Sequence, residues 1–161
     1  MLEVSLFEPR IPQNTGSIAR TCAAYDIPLN LIEPFGFKIE DKHLKRAGLD
    51  YWHLMRINHY KNFYEFKKSK KKGRLISFSK KNGLYLRNFK FQINDILVFG
   101  REDNGLPQEI INDCDELISI YMPNKATEKK GNDGVRSLNL SVACGIALYE
   151  AHKQIYEIKP K

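Results

Sequence analysis

The chain has 161 residues, 42% of them hydrophobic and 28% charged, and its formal net charge is +7. These numbers read as one soluble globular domain, residues 1–161, large enough for a real core. No apolar run approaches membrane-spanning length and the N-terminus lacks a signal-peptide pattern, so the cytoplasm is expected. The positive charge suits a polyanionic partner, most simply nucleic acid. It equally suits a basic protein whose charge only keeps it soluble.

Leu2 to Phe7 is short and apolar-rich and predicts a buried first strand, stopped by Pro9 and Pro12. Asn14 or Thr15 can cap a helix continuing through Ile18, Cys22 and Tyr25. Ala19, Ala23 and Ala24 leave that helix thin enough for close approach by a neighbour. Leu29 to Glu33 reads as a second strand, closed by Pro34 and Gly36. Asp41 to Ala47 reads as a short basic helix and Leu54 to Tyr60 as a third strand. Asn62 to Lys70 predicts a helix with Phe63 and Phe66 inward, ending among Lys67, Lys68, Lys70, Lys71 and Lys72. Singly these lysines suit a solvated helix end; as a group they suit a phosphate-tracking patch.

Leu75 to Ser79 is a fourth strand, followed by a basic, glycine-containing loop from Lys80 to Leu84. Asp95 to Phe99 places Ile96, Leu97, Val98 and Phe99 in a row, as a central parallel strand covered on both faces requires. Pro107 starts a helix through Ile110 and Ile111, and Glu116 to Met122 is another strand. A polar loop, Asn124 to Gly134, leads into the last helix. This β-α alternation predicts an α/β fold with a mostly parallel sheet and no second domain.

Val135 to Ala151, reading VRSLNLSVACGIALYEA, is the stretch around which the rest is organised. Helical spacing puts Leu138, Val142, Gly145 and Tyr149 on one face, and Leu140, Cys144, Ala147, Leu148 and Ala151 on another. A helix apolar on two sides needs two things to pack on. One is its own sheet; a second subunit could be the other. Its polar start offers free backbone N–H groups to a ligand.

Cys22, Cys114 and Cys144 form no C-x-x-C pair, and their odd count reads as free, mostly buried thiols. His43, His53, His59 and His152 show no zinc-ligand spacing, so no metal is expected. Gly100 to Gly105 has the outer spacing of a P-loop, but Leu106 and Pro107 stand where Lys and Ser/Thr are needed. No G-x-G-x-x-G follows a strand, which removes the usual dinucleotide fingerprint. What remains is a strand-end glycine turn bearing Glu102. Glycine there serves either the turn itself or the approach of bare backbone to a ligand.

Three polar, glycine-bearing or serine-bearing stretches therefore stand at strand ends: Asn14 to Arg20, Gly100 to Pro107, and Arg136 to Ser141. Read as N-T-G-x-x-x-R, G-x-E-x-x-G-L and S-L-N-x-S, they resemble the three motifs of the SpoU-type RNA ribose 2′-O-methyltransferases of the SPOUT superfamily. The fuller match takes in Glu8 to Arg20, Ile32 to Phe37 and Arg46 to Tyr51, and is similar to the short TrmL-like branch that methylates the wobble-nucleotide ribose of tRNA.

The resemblance implies an α/β knot: a mostly parallel sheet with helices on both faces and a C-terminal deep trefoil knot. It implies S-adenosylmethionine as cofactor, with S-adenosylhomocysteine as product. The cofactor would be held near Phe78, Gly100, Met122, Ser137 and Leu138. It implies a homodimer acting on tRNA, with the active site at the interface. Carried over by motif, Arg20 acts on the 2′-hydroxyl, while Asn14, Glu102, Ser137 and Asn139 position Arg20, cofactor and ribose. A protonated guanidinium is a poor base, so the expected role of Arg20 is to orient a substrate phosphate and polarise the hydroxyl. The loop KATEKKGNDGV, Lys125 to Val135, is longer and more charged than is usual in this branch, and a mobile lid or RNA contact is expected there. Two other readings compete: a ribosomal RNA 2′-O-methyltransferase of the same superfamily, and a non-catalytic RNA-binding module.

Overall fold

The computed structural model describes residues 1–38, 54–70, 72–123 and 134–156. The expected basic helix over 41–47, Lys71, and the loop from 125 to 133 lie outside the described residues. Among the described residues seven strands form one sheet: β1 (Glu3–Phe7), β2 (Leu29–Ile32), β3 (Ile57–Tyr60), β4 (Leu75–Phe78), β5 (Leu84–Tyr85), β6 (Ile96–Phe99) and β7 (Glu116–Ser119). Their order is β3-β2-β1-β6-β4-β7-β5, and every pairing is parallel. The described helices are α1 (Pro12–Ala24), α2 (Phe63–Ser69), α3 (Gln108–Asn112) and α4 (Leu140–Tyr156).

The continuous apolar run in β6 is explained by its place between β1 and β4. Its side chains alternate across the sheet. Leu97 and Phe99 join one cluster with Ile18 and Cys22 of α1 and Cys144, Ala147 and Leu148 of α4. Ile96 and Val98 join another with Phe63 and Phe66 of α2 and Ile110 of α3. Helices therefore cover both faces, as a parallel sheet demands.

Four local expectations are corrected. Helix α1 is not capped by Asn14 or Thr15: Pro12 starts it and Ile11 is its N-cap, without a side-chain cap bond. Proline presets the helical φ two residues early, so Asn14 and Thr15 fall inside the first turn and are buried. Helix α4 begins at Leu140, because the Asn139 side chain caps it; Leu138, which helical spacing put on one face, is thus outside the helix and belongs to neither face. Leu84 does not end the loop but starts with Tyr85 a two-residue edge strand, too short and too exposed to show a strand pattern. The lysine patch is divided: Lys67 pairs with Asp113 at 2.9 Å, and Lys70 turns inward onto Glu3 and Asn30. Lys68 and Lys72 stay exposed.

Candidate active site

The loop leaving β6 folds back on itself. Arg101 N donates to Gly105 O at 3.1 Å and Gly105 N to Arg101 O at 2.9 Å. Gly105 has φ +71°, where a Cβ is strained. A Cβ on Gly100 would stand 2.2 Å from the carbonyl carbon of Gly105 and 2.3 Å from the amide nitrogen of Leu106. The turn itself thus accounts for glycine at 100. Arg101 grips Asp103 through two parallel bonds of 2.8 and 2.6 Å. That guanidinium holds the Asp103 carboxyl down at about 2.

The closed loop projects Glu102 toward the start of α1. Its Oε2 accepts from Arg10 N at 2.8 Å and its Oε1 from Ile11 N at 3.1 Å. These backbone donors at the helix start have no intrahelical partner, so the carboxylate supplies from outside what a capping side chain would supply from within. Asn14 Nδ2 also donates to Glu102 Oε1, at 3.2 Å. Asn139 Nδ2 then donates to Asn14 Oδ1 at 3.0 Å. Asn139 Oδ1 accepts from Ser141 N at 2.8 Å and Val142 N at 3.4 Å, capping α4. One chain of hydrogen bonds therefore runs Glu102–Asn14–Asn139 and joins residues 88 and 125 positions apart. For Asn139, capping and membership of this relay hold together.

The relay borders a cavity of about 650 Å³ at the C-terminal ends of β4, β6 and β7. Asn14, Phe78, Gly100, Glu102, Met122, Ser137, Leu138 and Asn139 all line it. Apolar Leu117, Ile120, Leu140 and Ala143 complete part of its wall, and Lys80, Lys81 and Asn82 bring a basic rim. That rim is the glycine-containing loop before β5, whose charge was the only sequence signal for it. Sequence reasoning also passed over Arg10 and Arg101. Both contact Glu8, at 2.9 and 3.5 Å, and so tie the end of β1 to the loop after β6.

Arg20 is the residue that the structure does not bring to the cavity wall. It is exposed on α1. Six residues along an α-helix turn the side chain by about 600°, so it points away from Asn14 by roughly 120°. Among the described residues no group of three His, Cys, Asp or Glu side chains is placed to hold a metal. Likewise, no described helix is long and apolar enough to cross a membrane.

The SpoU rRNA Methylase family model matches residues 1–149. The chain belongs to that family. A tRNA (cytidine(34)-2′-O)-methyltransferase of Yersinia pestis is 39% identical over 160 residues, covering 96% of this chain and 94% of its own. A solved structure bearing on 2-OH methylation of C/U34 on tRNA superposes with a TM-score of 0.87 at 41% identity, over 96% of this chain and 95% of that one. An AdoMet-bound rRNA methyltransferase from Sinorhizobium meliloti shares the fold with a TM-score of 0.80 at 23% identity, over 94% of this chain but 56% of that chain. The three stretches that carried the sequence resemblance are those that the relay ties together in this SpoU member.

Proposed function

We propose that this chain transfers a methyl group from S-adenosylmethionine to the ribose 2′-hydroxyl of the wobble nucleotide, cytidine or modified uridine, in the anticodon loop of tRNA. The observation that carries this reading is the Glu102–Asn14–Asn139 relay along a cavity of about 650 Å³. That volume suits a small-molecule cofactor. Leu117, Ile120, Leu138 and Ala143 suit an adenine, and the strand ends at Phe78, Gly100 and Met122 offer main-chain donors and acceptors. The Yersinia pestis tRNA enzyme, 39% identical and matched over 94% of its own length, favours tRNA over ribosomal RNA.

The cofactor supplies a sulfonium methyl for in-line displacement by the ribose oxygen. Alignment is then the main task of the protein. Glu102 fixes the start of α1, and Asn139 fixes the start of α4 against it. Ser137 and Leu138, on the approach to α4, are held at the cavity by that cap. Arg20 orients a substrate phosphate and polarises the hydroxyl, whose proton leaves to phosphate or water. Its position on α1, away from the wall of its own cavity, supports a site completed by a second subunit. The exposed α4 residues Val142, Ile146 and Tyr149 support the same homodimer. Family membership further supports a single domain with a C-terminal deep trefoil knot, an exception to the rule against threaded chains, acting in the cytoplasm with its tRNA.

The test is methyl transfer from labelled S-adenosylmethionine to total tRNA, with mapping of ribose methylation. Label on the 2′-oxygen of the wobble nucleotide is expected. Label confined to ribosomal RNA would favour the second reading, and RNA binding without cofactor binding would reduce the chain to a binding module.

A further inference from the structure

The turn after β2, which rests on the chain just before α1, carries two aromatic rings around one glycine: Phe35, Gly36 and Phe37. The rings of Phe35 and Phe37 lie nearly parallel, 14° apart with centroids at 5.9 Å. Phe35 is anchored from below, packing on the core shared by α1 and α4, and its ring meets the exposed His59 edge-on at 6.0 Å. Phe37 is half-buried and belongs to neither core cluster; its one described ring partner is Phe35. The stack thus starts in the core and ends at the surface on Phe37.

Its distance from the relay is one residue. Gly36 N donates to Pro9 O at 2.9 Å. A Cβ on Gly36 would lie 2.8 Å from the Cα of Arg10 and 2.9 Å from its carbonyl oxygen. The turn therefore rests on the Arg10 main chain, whose amide binds Glu102 at 2.8 Å. Exposed Glu33 and Lys38 bracket the turn in the chain, and exposed Lys61 follows Tyr60, which pairs with Ile32 at the end of β2.

We propose that Phe37 is a stacking platform for an unpaired RNA base next to the nucleotide whose ribose enters the cavity. The inference rests on the RNA methyltransferase reading above. Single-stranded RNA is recognised chiefly by stacking splayed bases on aromatic side chains, with lysines tracking the backbone. An aromatic ring backed by a second ring and offered at the surface beside cations has that chemistry. An apolar partner protein would not need the lysines.

The experiment is a double-mutant cycle between protein and RNA. The protein arm is Phe37→Ala, with Phe37→Tyr as the ring-retaining control. The RNA arm is an anticodon stem–loop with an abasic site on either side of the wobble position. Phe37→Ala should raise KM for the intact stem–loop by about 5- to 150-fold, the range for loss of one base–aromatic stack. Phe37→Tyr should stay near wild type, and S-adenosylhomocysteine affinity should be unchanged in both. An abasic site at one flanking position should cost the wild type a similar factor and cost Phe37→Ala little more. Penalties that multiply at both flanking positions would overturn the platform. So would a Phe37→Ala effect explained by altered subunit association in gel filtration, which would make this face a protein contact. Wild-type enzyme that methylates no stem–loop and no tRNA would instead sink the parent reading.

Discussion

Glu102 is held by three N–H donors, two from main chain and one from Asn14. A neutral amide has one acceptor oxygen and brings N–H groups of its own against those donors. Glu102→Gln is therefore expected to cost about 1–3 kcal/mol of stability and, through displaced α1, about a hundredfold in methyl transfer. Urea denaturation and single-turnover rates check the two parts separately. Asp103 behaves differently, because it is exposed and its partner is the half-buried Arg101. Its folded value of about 2 lies below the ordinary 3.8. A depressed carboxyl stabilises the fold fully above its unfolded value and loses that contribution as pH falls through the folded one. The stability gap between wild type and Asp103→Asn should be flat above about pH 5 and close between about pH 4 and pH 2, read from urea midpoints. Residue identity made Glu102, Asn14 and Asn139 visible as candidates in the sequence. What the sequence could not display was that two of them bond each other across 125 positions, or that Arg20 turns off the cavity wall.

At the scale of elements, the helix starts are where sequence reading and structure part. A polar residue near a helix start looks like a cap, and at Asn14 that local rule misleads. Pro12 sets the start earlier, and the capping function passes to a carboxylate about ninety residues away in the chain. At Asn139 the same rule succeeds, and it also shortens the expected last helix. Asn139 therefore has two separable duties. Asn139→Ala should lose about 1 kcal/mol from the cap and lose activity as well. Asn139→Asp retains a capping oxygen but has no donor for Asn14. Its stability should return toward wild type while its methyl transfer does not. Thermal melts beside initial rates distinguish the two duties. Strand β5 escaped the sequence because two exposed residues carry no period, whereas β6 was plain from four buried ones.

For the whole molecule, alternating strands and helices announced a parallel α/β sheet, but not the strand order. Order depends on which distant segments pair, and one sequence read by local period carries little of that. The two-sided apolar character of the last helix was legible and has physical meaning. Cys144, Ala147, Leu148 and Ala151 are fully buried, while Ile146 is 41% and Tyr149 59% exposed. Covering that outer face with a second copy requires an apolar contact. Ile146→Asp should shift gel filtration and sedimentation toward monomer and reduce methyl transfer, with α4 still helical by circular dichroism. A variant that remains dimeric with full activity would place the subunit contact elsewhere.

The relay has one more consequence, for a chain emerging from the ribosome. Strands β1 and β6 and the loop bearing Glu102 are all made before residue 139, so a sheet can gather early. The wall formed by Ser137, Leu138 and Asn139 comes only after all of these. A polypeptide released before Ser137 would own most of the scaffold and lack the wall that finishes the chamber. Truncation thus yields a silent product rather than a careless one: a half-made protein cannot spend methyl donor on the wrong RNA.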